Sequence, residues 1–169
     1  MSISMHSISA PTFVRILGNL QTWLEKAQAH AETRKFDPNN FIGLRLAPDM
    51  LPLNRQVQIA SDAAKGCMGR LAGAELPKWE DNESTLAELR ARAQKTIDYV
   101  NSFSAAQIDG SESREILVPR RTGEPLKFSG EAFLKHYALP NFYFHATTTY
   151  TLLRHAGVEL GKKDFLGGN

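Results

Sequence analysis

Apolar residues recur at helical spacing along most of the chain. Between Pro11 and His30, Val14, Leu17, Leu20, Leu24 and Ala27 share one face with Trp23 beside them, the period of an amphipathic helix. Proline suits the first turn of such a helix, where its missing amide has no intrahelical partner. The turn-forming Asp37, Pro38, Asn39 and Asn40 follow. A second stripe of Met50, Leu53, Val57, Ala60, Ala64, Met68 and Leu71 predicts a helix that Asp49 caps and Gly73 ends. After PKWEDNES, Thr85 and Glu88 have the spacing of a capping box and open a third helix through Leu89, Ala93, Ile97 and Val100. In REILVPRRTGEPLKF two short β-prone runs flank Arg121-Thr122-Gly123-Glu124, a hairpin that Pro119 and Pro125 confine to an edge. The last helix starts near Ser129 and stops at Gly157. The pattern predicts helices over 11–32, 49–72, 85–102 and 130–156, arranged as an all-α, antiparallel four-helix bundle with a small β-hairpin inserted before the last helix. One domain over 1–169 is expected, since this length suffices for a single core.

Composition narrows the class. With 42% apolar and 22% charged residues and a formal net charge of +2, the chain has the make-up of a globular protein. Its basic residues are dispersed rather than gathered in a stripe, which argues against nucleic-acid binding. No apolar run reaches membrane-spanning length, and the start, MSISMHSISAPTFVRIL, lacks the basic and apolar regions of a signal peptide. A single cysteine, Cys67, excludes an internal disulfide framework and a multi-cysteine zinc site, so a cytoplasmic protein is expected. Within KGCMGRLAG, Cys67 reads as a small buried thiol, and Gly66, Gly69 and Gly73 suggest close helix packing.

The candidate chemistry is concentrated in SGEAFLKHYALPNFYFHATTTYTLLRHAGVELGKKDFLG, which holds His136, His145 and His155. At about 100° per residue, His136 and His145 lie on roughly opposite sides of a straight helix, so three imidazoles do not converge. His136 reads as a partly exposed polar residue and His155 as a cation beside the C-terminal carbonyls. Pro140 removes one helical hydrogen bond, to the carbonyl of His136, and frees a buried acceptor. The resulting kink either lets the helix wrap the core or aims Asn141 and His145 into a pocket. The hydroxyls of Thr147, Thr148 and Thr149 either bond back within the helix or permit a close helix approach. Phe142, Tyr143 and Phe144 together span about 200° of the helix, more than one face can bury; a second subunit or the hairpin covers the remainder, and a homodimer is the expected state. Trp79-Glu80-Asp81-Asn82-Glu83 reads as a solvated turn with Trp79 on the bundle, without the ligand spacing of a calcium loop. No phosphate-binding Gly-Lys-Ser/Thr loop, nucleophile elbow or paired zinc-binding histidines are present.

Taken together, LRLAPDMLPLNRQVQIASDAAKG, ELPKWEDNEST and HYALPNFYFHATTTYTLLRHAGVELGKKDFLG resemble a bacterial family of uncharacterised proteins within the DinB-like (YfiT-like) superfamily, over essentially the whole chain. The resemblance implies a four-helix bundle, often dimeric. It also implies a divalent metal held by one histidine of the second helix and two ligands one turn apart on the last. Some members of the superfamily are thiol-dependent transferases or isomerases. Carried over position by position, the last-helix ligands fall on Asn141 and His145, and the second-helix histidine falls on Gln56 or a neighbour. One imidazole with two amides is a poor zinc or nickel set, leaving His145 as the sole weak metal candidate and no cofactor expected. Two function classes follow. The first is a non-metal ligand-binding or interaction module with a pocket near Asp49, Gln56, Asn141, Tyr143 and His145, taking a small-molecule ligand. The second is a DinB-like metal-dependent enzyme, a transferase or hydrolase, with an altered site drawn from Asp49, Gln56, Asn141 and His145.

Overall fold

The structure is a computed structural model that describes residues 3–167; residues 1–2 and 168–169 of the expected domain lie outside the described residues. Four long helical segments form the bundle. The first helix, α1 (Met5–Arg34), begins a full turn and a half before Pro11 because Ser4 and Ser7 close a capping box at its start. Pro11 therefore sits inside the helix rather than in its first turn. It is tolerated there because Ser7, whose carbonyl loses its partner, is exposed. The second helix, α2 (Leu53–Ala72), starts later than the apolar stripe suggested, and Asp49 does not cap it. Its first free amides are met instead by the preceding loop folding back, with Leu53 donating to the Leu44 carbonyl at 2.9 Å and Asn54 to that of Ile42 at 3.3 Å. Gly73 ends α2 at φ 67°, the left-handed conformation glycine adopts without strain. The third helix, α3 (Leu86–Asn101), has the expected Thr85–Glu88 capping box.

The short helix α4 (Ala105–Ile108) leads to strands β1 (Glu115–Val118) and β2 (Leu126–Ser129), which pair as an antiparallel hairpin. The last long segment runs from α5 (Gly130–Phe133) through a π-turn (Leu134–Ala138) into α6 (Leu139–His155). The helical segment continues through Pro140, because the π-turn just before it absorbs the missing amide. The acceptors that Pro140 cannot serve belong to Lys135 and His136, and both residues are exposed. The freed acceptor is thus on the solvent side, not buried as the sequence suggested. A final helix, α7 (Lys162–Leu166), returns to α1, where Phe165 stacks on the buried Trp23 with ring centroids 5.4 Å apart and the Asp164 carbonyl accepts from the indole Nε1 at 2.9 Å. Among the described residues no helix is long and apolar enough to cross a membrane.

Cross-helix contacts set the directions. Gln21 and Glu25 meet Arg90 and Gln94, whereas Ala10 and Val14 lie near Val100 and Asn101, so α1 and α3 are antiparallel. Gln56 meets His145, while Phe133 and Ala138 lie near Arg70, so the last segment is antiparallel to α2. Ser61 meets Thr96 and Gly69 meets Tyr99, which makes α2 and α3 parallel. Their connection, residues 73–85, must therefore travel back along the bundle as an extended strap. It is anchored throughout. Trp79 has the ammonium groups of Lys65 and Lys95 at 4.5 and 4.6 Å from its ring centre. Arg92, 3% exposed, donates to Asp62 (3.0 Å), Asp81 (3.1 Å), Glu83 (2.9 Å) and the Glu80 carbonyl (3.0 Å), with Ser61 Oγ taking its Nε at 3.0 Å. Arg55 bonds Asp81 at 2.6 Å and Gln58 bonds Glu83 at 2.7 Å. The segment read as a solvated turn with Trp79 on the bundle does seat Trp79 there and leaves Glu80, Asp81 and Asn82 exposed. It is also a strap fastened by a buried arginine, whose desolvation the surrounding carboxylates offset.

The glycines of α2 serve this packing in an unexpected way. Gly69 leaves room for Leu76 of the strap and for the Tyr99 hydroxyl, 2.3 and 2.9 Å from where a Cβ would stand. Gly66 makes room for a side chain of its own helix, the Arg70 guanidinium, 2.4 Å from that position. Gly69 thus admits α3, through Tyr99, as well as the strap, whereas Gly66 is not a site of helix-on-helix contact.

Candidate functional site

Gln56 and His145, matched by position in the sequence, meet in the structure. Gln56 is buried in the first turn of α2, and its Nε2 donates to the Leu51 carbonyl at 2.9 Å. That bond directs the amide oxygen toward α6, where it lies 2.7 Å from His145 Nδ1. An amide oxygen only accepts, so Nδ1 carries the imidazole proton and Nε2 keeps its lone pair. Burial pushes the His145 pKa below the ordinary histidine value, which favours the neutral ring. The group on offer is a fixed, neutral imidazole with one free acceptor nitrogen.

Asn141 stands one turn earlier on α6, half-buried, and faces a separate cavity of about 160 Å³ between α2, β1 and the π-turn. Arg70, Tyr137, Ile59 and Phe133 share that cavity. Asp49 is exposed in the turn before α2 and joins neither feature. Tyr143 is 38% exposed with its ring against Phe142, and burial of its phenol raises its pKa. Of the aromatic triplet only Phe142 enters the core, edge-on to Phe13 at 4.8 Å; Phe144 remains 57% exposed. Two of the three threonine hydroxyls bond back within the helix, Thr148 to the Phe144 carbonyl at 2.7 Å and Thr149 to that of His145 at 2.9 Å. Cys67 is buried and its thiol is pushed well above the ordinary value by burial, as befits a packing residue. His136 and His155 are exposed.

A family described as a domain of unknown function, DUF1993, matches residues 5–166, from the first turn of α1 to the end of α7. The chain belongs to the DUF1993 family. It is also similar to the crystal structure of a DinB family member protein from Shewanella denitrificans, with 43% identity and a TM-score of 0.89 over 97% of this chain and 92% of that one. No curated protein matches the chain. The four-helix bundle and hairpin of this DUF1993 chain are thus those of a DinB-like fold.

The divalent metal associated with that fold does not suit the residues present. The Gln56 oxygen faces the N–H of His145 and is used there, while the Gln56 NH₂ is turned to a carbonyl. Among the described residues no group of three or more His, Cys, Asp or Glu side chains is placed to hold a metal ion. Amide oxygens with a single imidazole favour neither zinc nor nickel. Sequence reasoning on the DUF1993 chain missed Arg70, Tyr137 and Arg92. For Arg70 a signal existed: a glycine four residues earlier on the same helix, the spacing that lets a long side chain fold back over its own backbone.

Proposed function

We propose that this DUF1993 protein is a ligand-binding module of the DinB-like fold that works without a tightly held transition metal. The observation supporting this reading is the Gln56–His145 hydrogen bond at 2.7 Å. It occupies the amide oxygen that stands at a ligand position and fixes the imidazole as a neutral acceptor. The alternative, an enzyme with an altered metal set, loses a member because Asp49 is exposed and apart from the others. A cytoplasmic setting goes with the binding reading, in keeping with a single, buried cysteine.

Calorimetric titration with zinc tests it. The unmodified protein should show no tight stoichiometric binding. Replacing Gln56 by His should raise zinc affinity, because a second imidazole then stands beside His145 across α2 and α6. Adding Asn141→His should raise it by orders of magnitude, provided that side chain turns from its own cavity toward them. Nanomolar zinc binding by the unmodified chain, lost in His145→Ala, would transfer it to the metal-dependent enzymes.

The module is proposed to work as a homodimer that covers Phe144 and Tyr143. The exposed Leu51, whose carbonyl anchors Gln56 beside His145, extends the same apolar surface. Light scattering at micromolar concentration should return twice the monomer mass of 18.8 kDa, and a monomer would refute it.

A further inference from the structure

The cavity beside the π-turn holds an arginine with no counter-charge. Arg70 is half-buried, and desolvation lowers its pKa, the mark of a cation drawn out of water. Among the described residues no carboxylate lies within ion-pair distance of it. Its recorded hydrogen bond is to the Gly66 carbonyl of its own helix, at 3.1 Å, which uses one of five donors. That position exists because residue 66 has no side chain: a Cβ there would stand 2.4 Å from the Arg70 Nη1. A glycine inside a helix costs stability relative to alanine, so holding the guanidinium at the cavity is not incidental to the packing of α2.

The rest of the cavity complements an acid. The Tyr137 phenol, beside Arg70 on the π-turn, and the Asn141 amide both line it, and neither has a hydrogen-bond partner among the described residues. Ile59, Val118 and Phe133 supply an apolar wall. Asp62 is the one carboxylate on the lining, and it is already held by Lys65 at 2.7 Å and Arg92 at 3.0 Å. The volume of about 160 Å³ is close to that of engineered cavities that admit benzene, about 150 Å³.

We propose that this cavity binds a small organic acid. Its carboxylate pairs with the Arg70 guanidinium and accepts from Tyr137 and Asn141, and its apolar body lies on Phe133, Ile59 and Val118. A bare oxyanion would satisfy Arg70 but leave the apolar wall uncovered. The proposal rests on the ligand-binding reading above and names its ligand class.

The test is calorimetric titration of the full chain with benzoate and hexanoate, with benzamide as the neutral isostere and inorganic phosphate as the bare anion. At least one of the two acids should bind, and benzamide and phosphate should bind at least about tenfold more weakly. Arg70→Gln should lower acid affinity by about 10- to 100-fold, the scale of a lost charged hydrogen bond. Gly66→Ala should do so too, by pushing the guanidinium off its seat, while the melting temperature stays the same or rises, so a folding defect cannot explain the loss. Binding of neither acid at about 10 mM, affinity unchanged in Arg70→Gln, or phosphate binding as well as the acids would each overturn the proposal. The zinc titration reads the Gln56–His145 pair, which lies outside this cavity, and stands apart from acid binding. A failure of this site is therefore distinct from a failure of the metal-free reading.

Discussion

The two sides of α2 treat an arginine in opposite ways. Toward α3, Arg92 reaches into a set of acceptors that uses its whole guanidinium, with carboxylates from α2 and from the strap over residues 73–85 closing around it. Toward the last helix, Arg70 bonds a single backbone carbonyl and opens on a cavity with two further unpartnered polar groups. A satisfied buried ion is a structural device, since removing any partner leaves an uncompensated charge. An unsatisfied one is available to a partner outside the chain. The residue type is the same on both sides and Arg92 is the more deeply buried, and the hydrogen-bond accounting separates them.

The contrast can be broken at its strongest point first. Arg92→Ala should destabilise the protein by about 3–5 kcal/mol, because Asp62, Asp81 and Glu83 are left together without their shared cation. Urea denaturation measures it, and a loss under about 1 kcal/mol would mean the strap is held by other contacts. The two glycines come next. Gly69→Ala should cost about 1–3 kcal/mol, since Leu76 of the strap and Tyr99 of α3 must both move. Gly66→Ala meets only the end of a flexible side chain and should gain roughly 0.5–1 kcal/mol from helix propensity. Equal signs for the pair would show that the two sides of α2 are packed alike.

Acid titration sharpens the comparison further. Burial pushes the Asp81 carboxyl up, but the hydrogen bond and charge of Arg55, with the charge of Arg92, outweigh it and hold the group below the usual aspartate value. A depressed carboxylate contributes stability that is present above its unfolded pKa, about 3.9, and is lost as pH falls through its folded value. Asp81→Asn should therefore flatten the acid limb of the stability curve below about pH 4. Parallel limbs in the two proteins would exclude Asp81 as a contributor.

On the other side, His145 is depressed by burial, so the unfolded state takes up a proton first as pH falls below about 6.5 and the native state loses stability from there down to its own lower pKa. Its imidazole resonances should titrate below that value. A midpoint above it would place an anion close to the ring.

Periodicity carried the helical content, the hairpin and the Thr85–Glu88 cap, because these depend on local spacing. Pairing Gln56 with His145 required the family resemblance, since 89 residues separate them and no local signal joins helices across a bundle. The late start of α2 was hidden because its first amides are met by carbonyls of residues 42 and 44 rather than by a side chain. The fastening of the strap was missed for a related reason. PKWEDNES is polar enough for a solvated loop, and only the parallel course of α2 and α3 turns its acids inward to Arg92. Pro140 signalled a disturbed helix, but that the disturbance takes the form of a π-turn goes with the exposed setting of Lys135 and His136.

The strap also bears on how the chain comes to be folded. In a bundle of simple hairpins each helix docks on the one before it, so the chain can settle as it leaves the ribosome. Here α1 packs chiefly on α3, and α2 meets one of its two main partners only in α6, the last long helix to be made. A nascent chain that has just completed α3 has an α1–α3 pair to close but carries an open apolar flank on α2. Synthesis of the remaining two-fifths of the protein is the interval in which that flank needs a chaperone or an unfolded state to protect it.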